Sequence, residues 1–269
     1  MKQTFRYLIA VLAVVSVTAA ACGSSSKTRS AAPTTAAAAP TTVSPLTGSV
    51  TVLAAASLTE AFNDAKTKLV ASHPGLSLTY SFAGSQALVQ QIQNGAPADV
   101  FASADQTNMQ KLIAAGLVAT PVTFARNKLE IAVAPGNPKK INGLADLTRP
   151  DLKVVLEDPS VPAGTYARQA LARLSLTVRP VSNPLDVKSA LQTVTSGESD
   201  AVIVYATDVS SAAGRAAGVE IPDGQNIIAT YPIAVVKASH NQAAAQGFVN
   251  SMVKGQGQQA LQARGFLAP

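Results

Sequence analysis

The chain has 269 residues, 47% hydrophobic and 13% charged, with a formal net charge of +6, one cysteine and no tryptophan. Four of its 21 basic residues (Lys2, Arg6, Lys27 and Arg29) precede residue 48 in a stretch without acids, leaving 17 basic against 15 acidic residues, or +2, for the rest. A nearly balanced body with no basic cluster and few aromatics argues against nucleic acid as a partner, and the single cysteine excludes a disulfide framework and a thiolate metal site.

Residues 1–21 have a cationic start, an apolar run from Leu8 to Val17 and small residues up to Cys22. That pattern predicts a secretory signal; the run is too short and wrongly flanked for a membrane span. Cys22, in "TAAAC", stands where a bacterial lipoprotein carries its lipid, although Ala19 replaces the leucine usually preferred there. The expected location is therefore extracytoplasmic, lipid-anchored to the outer face of the cell membrane. Plain secretion, with Cys22 left as a thiol, is the alternative. Residues 22–47 are mostly Ser, Thr, Ala and Pro with almost nothing to bury, which predicts a flexible tether.

The body opens with a β-rich run, Ser49 to Leu53, followed by Leu58, Ala61, Phe62, Ala65 and Leu69 at helical spacing between Ser57 and Ser72. Ser57 with Glu60 three residues on predicts a capping box. "LSLTYSF" alternates as a strand, Ser85 begins a helix stopped at Gly95, and "ADVFASAD" reads as a buried strand before a helix from Gln106 to Ala115. A second series runs through "KLEIAVAPG", the strand "KVVLED", helices from Ala163 to Leu174 and Asp186 to Val194, and the strand "AVIVY". "NIIATYPIAVVK" is the last strand-like run, before helices at Asn241–Lys254 and Gln256–Ala263. This alternation predicts an α/β protein with mostly parallel, doubly wound sheets. Two lobes are expected, residues 48–125 with 229–269 and residues 126–228, with a ligand cleft between them.

Several strand-to-helix corners carry groups suited to an anion. A helix N-terminus offers unpaired N–H groups and a positive dipole end, and in an open sheet the ligand crevice lies at the carboxyl ends of the strands. Ser57 and Ser85 fall at such corners, though each could simply cap its helix. "DPSVPAGTYA" places Pro162 in a first helical turn beside Ala163, with Gly164 allowing close backbone approach to a ligand. Asp186 at the next helix start reads as an N-cap, which leaves the N–H of Val187 a candidate, and Tyr205 ends a strand where its hydroxyl could reach the cleft. Asp105, Glu157, Asp158 and Asp208 lie near strand ends without spacing that demands a metal, and read as solvated or capping carboxylates. No G-x-S-x-G elbow is present, and His73 and His240 read as surface residues, so a serine hydrolase is poorly supported.

"VLAAASLTEAF", "SFAGSQALVQQIQNGAPADVFASAD", "EDPSVPAGTYARQAL", "DVKSAL", "AVIVYATD" and "YPIAVV" together resemble the molybdate-binding proteins of bacterial molybdate ABC importers, which have the two-lobed type II periplasmic binding fold. The resemblance spans about Ser49 to Leu267. It implies that the hydroxyls of Ser57, Ser85 and Tyr205 and the amides of Ala163 and Val187 hold a tetrahedral dianion, molybdate or tungstate. Gly84-Ser85-Gln86 departs from the consecutive serines common in the family. The metal would enter only as this oxyanion, with no cofactor and no enzymatic activity, and the partners implied are the ion and a membrane permease, the chain acting as a monomer. A site of donors alone would refuse protonated phosphate and would have to refuse sulfate by size. Sulfate or another oxyanion is the nearest alternative ligand, and a non-transport surface lipoprotein the alternative of another class.

Overall fold

The computed structural model describes residues 46–269. The signal reading of residues 1–21, the lipidation of Cys22 and all but the last two residues of the 22–47 tether lie outside the described residues. The elements run β1 (Gly48–Ala55), a 3-10 turn (Ala56–Leu58), α1 (Thr59–Ser72), β2 (Leu76–Ala83), α2 (Ser85–Gln93), β3 (Val100–Ala102), α3 (Gln106–Ala114) and β4 (Val122–Val133). They continue through β5 (Val154–Val155), α4 (Pro162–Arg173), α5 (Val187–Thr195), β6 (Ala201–Tyr205), α6 (Ala206–Ser211), β7 (Ala217–Glu220), β8 (Ile228–Val235), α7 (Gln242–Lys254) and α8 (Gln256–Ala263).

The strands lie in the order β2-β1-β3-β8-β4-β6-β5, with β7 also paired to β4. Parallel pairing, as the β-α alternation predicts, holds for β1 with β2 and β3 and for β5 with β6. Every antiparallel pairing involves β4 or β8. These two strands run in opposite directions between the groups: β4 pairs with β8 through Val122–Lys128 and with β6 through Leu129–Val133. β8 starts against Lys128 and ends against Val100. The sheet is mixed because β8 runs antiparallel between β3 and β4 and because β4 runs antiparallel to β6 and β7, placements that local alternation does not encode.

The helix pattern in "TEAFNDAKTKL" buries the residues its spacing selects: Ala61, Phe62, Ala65 and Leu69 face inward from α1. Phe62 is fully buried and centres an aromatic cluster, with the rings of Tyr80, Phe124, Phe248 and Phe82 at 5.7, 6.0, 5.9 and 6.5 Å, in tilted or edge-to-face arrangements. The C-terminal helices return to this part of the molecule, as expected. Arg264 at the end of α8 donates to Asp64 of α1 at 2.6 and 3.0 Å, and Gln256 meets Ser72. A smaller apolar cluster, including Leu53, Leu88, Phe101 and Met109, fills the space between the sheet and α2 and α3.

Two local expectations are corrected. No capping box forms at the first corner: α1 begins at Thr59, no side chain caps it, and Glu60 pairs instead with Lys188. The 3-10 turn moves Ser57 off the N-cap position. Gly164 is required by close approach, but to protein backbone: a Cβ there would collide with the carbonyls of Glu157 and Asp158. The α4 start is thereby pressed against the segment that follows β5.

Truncating Phe62 removes one ring from a core that cannot collapse around it, since four other rings pack on it. Phe62→Ala is expected to cost about 3–5 kcal/mol, read as a lowered denaturation midpoint at unchanged m-value.

Candidate functional site

The carboxyl ends of β1, β2 and β6 and the starts of α4 and α5 meet around one small cavity. Its walls include Ala56, Ser57, Gly84, Ser85, Ala104, Glu157, Ala163, Val187 and Tyr205. All five residues singled out in the sequence are therefore brought together. The space is small, on the scale of one compact ion and not of an organic metabolite.

The hydroxyls are placed by buried contacts. Ser57, 4% exposed, lies 2.9 Å from the hydroxyl of Tyr231. Ser85 is fully buried, and its Oγ accepts from the N–H of Ala104 at 3.1 Å. One lone pair of Ser85 is thereby used and its proton left for another acceptor. Neither serine caps its own helix, because no side-chain cap bond is present at the starts of α1 and α2. The Tyr205 hydroxyl is buried with no hydrogen-bond partner among the described residues. Burial raises the pKa of Tyr205 and of Tyr231, so both phenols stay protonated and able to donate.

The backbone donors are left unspent by the choice of cap residue. At α5, Asp186 accepts from the N–H groups of Lys188 and Ser189, both at 2.9 Å, and so reaches past Val187, the first helical residue. At α4 the N-cap is Val161, which has no polar side chain to offer, and Pro162 follows it with no N–H of its own. The first N–H of that helix then belongs to Ala163. Gly84 plays the Val161 role at α2, again without a side-chain cap.

Among the described residues no lysine or arginine lines the cavity. The nearest in sequence, Lys188, is held by carboxylates: its Nζ donates to Glu60 Oε2 at 2.7 Å and lies 3.1 Å from Asp208 Oδ1. Glu60 belongs to α1 and Lys188 to α5, so this cluster also ties the helix after β1 to the helix that supplies Val187. Asp208 is fully buried, and burial, opposed by Lys188, pushes its pKa up to about 6.

The carboxylates near strand ends divide. Asp105 caps α3 through the N–H of Asn108 at 2.9 Å, and Asp158 holds the N–H and hydroxyl of Ser160, as capping acids do. Glu157 and Asp208 are corrected: neither is solvated or capping, with exposures of 1% and 0%. Glu157 lines the cavity, and neither carboxylate oxygen has a hydrogen-bond partner among the described residues. The wall is therefore not made of donors alone. Tyr231 was also missed, although "ATYPIAVV" places it on the buried face of a strand beside the site. Among the described residues no cluster of His, Cys, Asp or Glu could hold a metal ion, and no helix is long and apolar enough to cross a membrane.

A family model described as bacterial extracellular solute-binding protein matches residues 50–267. The molybdate-binding protein ModA of Mycobacterium tuberculosis is 40% identical over 251 residues, covering 93% of this chain and 92% of its own. The periplasmic molybdate-binding protein of Azotobacter vinelandii superposes with a TM-score of 0.71 at 22% identity, over 82% of this chain and 99% of that one. The sulfate-binding protein SubI of M. tuberculosis gives 0.73 at 22% identity, over 81% and 86%. At these identities the two structures speak for the fold alone.

Because the folded-state pKa of Asp208 is raised from 3.8 to about 6, its contribution favours folding at low pH and is lost as pH rises through 6. Removing its cation sharpens that loss. Lys188→Met is expected to cost about 3 kcal/mol at pH ~8, where Asp208 would be an unpaired buried anion, and clearly less at pH ~5. Urea unfolding at the two pH values measures the difference; equal losses would show that Asp208 does not feel Lys188.

Proposed function

The chain belongs to the bacterial extracellular solute-binding protein family, and on that premise we propose that its cavity captures molybdate, and tungstate equally, for an ABC importer. It is a binding protein and not an enzyme. The observation that carries the reading is the convergence of three buried hydroxyls and two unspent helix N–H groups on an ion-sized cavity without a cation. Charge-assisted hydrogen bonds and helix dipoles would hold a dianion there, with no counter-ion to neutralise it. Ser57, Ser85 and Tyr205 would donate through oxygen, Ala163 and Val187 through nitrogen.

Molybdate is preferred to sulfate because the relative named for molybdate is alike along nearly the whole chain, whereas the likeness to the sulfate-binding protein is one of fold. Sulfate offers the same charge and symmetry and differs in size. Tungstate matches molybdate in size and charge, which is why the two are paired. The same proposal includes anchorage by a lipid on Cys22, the 22–47 segment as tether, and a monomer that delivers its ion to a membrane permease. Movement of residues 126–228 against the rest, about β4 and β8, would close the ion in and open it again.

Thermal unfolding with molybdate, tungstate, sulfate and phosphate, each at matched ionic strength, tests the ligand. A ligand at about 100 times its Kd stabilises by about 2.7 kcal/mol, so the first two should raise the Tm and the others should not. A rise with sulfate or phosphate alone would sink the molybdate reading. Ser57→Ala and Ser85→Ala should each weaken molybdate binding by roughly 1.5–3 kcal/mol, about 10- to 150-fold in Kd, as calorimetry would record. An unchanged Kd in a folded variant would remove that serine from the site.

A further inference from the structure

Glu157 is the one ionisable carboxyl in the cavity wall, and the family resemblance gives it no role. It lies two residues beyond the end of β5, is 1% exposed and shares the wall with Ser57, Ser85 and Tyr205. Both carboxylate oxygens are buried without a hydrogen-bond partner among the described residues. An ionised carboxylate in that position would be doubly opposed, by its own desolvation and by a dianion beside it. A carboxylic acid meets neither objection, and it brings an O–H donor.

We propose that Glu157 enters the site as a carboxylic acid and donates its proton in a hydrogen bond to the bound oxyanion, acting as a further specificity-determining residue. The inference rests on the reading of the cavity as an oxyanion site. The charges around Glu157 favour the acid form. Asp208 of α6 and Asp186 at the start of α5 add negative potential, and the neutral hydroxyl of Tyr205 at the end of β6 adds no cation. Arg168 of α4 is the one opposing charge. Its guanidinium is committed to backbone, donating to the carbonyls of Glu157 and Gly164 at 2.5 and 2.9 Å. Burial is the largest cause and holds the Glu157 carboxyl well above the usual carboxylate range.

Proton and anion are then linked. A bound dianion favours the acid form, so the affinity of the wild-type protein should fall as pH rises through the titration of Glu157 in the ligand-free protein, by up to tenfold per pH unit. The wild type, Glu157→Gln and Glu157→Met would be titrated calorimetrically with sodium molybdate at about pH 7 and about pH 9, after thermal unfolding has shown that each variant is folded. Glutamine keeps a neutral donor and methionine keeps the bulk without one. E157Q is expected to bind at least about tenfold more tightly than E157M, and to lack the alkaline decline of the wild type. Equal affinities of E157Q and E157M would overturn the donor role. E157Q binding more than tenfold tighter than the wild type at pH 7 would show that Glu157 is ionised and repels the ligand, and would also overturn it. So would preferential binding of phosphate that disappears in E157Q, because the carboxylate would then be accepting a ligand proton. Wild-type protein that binds sulfate but not molybdate would instead overturn only the choice of ion, and the same three proteins titrated with sulfate would still decide the role of Glu157.

Discussion

The site depends on keeping hydrogen-bond donors unpaired in a buried place while keeping cations out of it. A buried N–H or O–H without an acceptor is costly, and most helix starts avoid that cost with a Ser, Thr, Asp or Asn cap. Here the caps are chosen against that habit. Val161 and Gly84 have no side-chain acceptor to give, and Asp186, which has one, spends it on Lys188 and Ser189 and bypasses Val187. The protein holds these donors in readiness because the sheet and the apolar core around them supply the stability that the site itself does not.

Excluding cations takes an arrangement of its own. Lys188 follows Val187 and, turned inward, would place a fixed positive charge at the cavity. Glu60 and Asp208 hold it instead. A fixed ammonium would attract any anion of suitable charge, whereas oriented hydroxyls and N–H groups select by geometry and by the ligand's own protonation. The Lys188 cluster therefore bears on selectivity without touching the cavity. It also explains why Glu60, which the sequence pairs with Ser57 in a capping box, is found elsewhere.

Much of this was legible in the sequence, for a local reason. Strand-to-helix corners announce themselves by a switch in hydrophobic period, and Ser57, Ser85, Ala163, Val187 and Tyr205 each sit at such a switch. Asp186 could be read as an N-cap from its position alone, and the uncapped N–H of Val187 followed. What escaped is non-local. The antiparallel insertion of β8 depends on partners a hundred or more residues away in β4 and β3. The Ser57–Tyr231 bond spans 174 positions. Of the two acids misread as solvated, Glu157 stands just after a short buried strand, where period alone does not say which way its side chain turns.

Those two acids show how neighbours divide one kind of residue into two chemical roles. Asp208 and Glu157 are alike in burial, and burial is the largest cause of the raised pKa in both. Asp208 has an ammonium 3.1 Å away, which brings it back to about 6 and makes it part of a structural ion cluster. For Glu157 the nearest cation, Arg168, is spent on carbonyls, while Asp208 and Asp186 push the same way as burial. Asp208 thus raises the proton affinity of Glu157 while restraining Lys188. The buried anion of the pair serves the cation, and the buried acid stands in the cavity wall, so one cluster of charges bears both on the absence of a positive side chain at the cavity and on the proton affinity of the acid there.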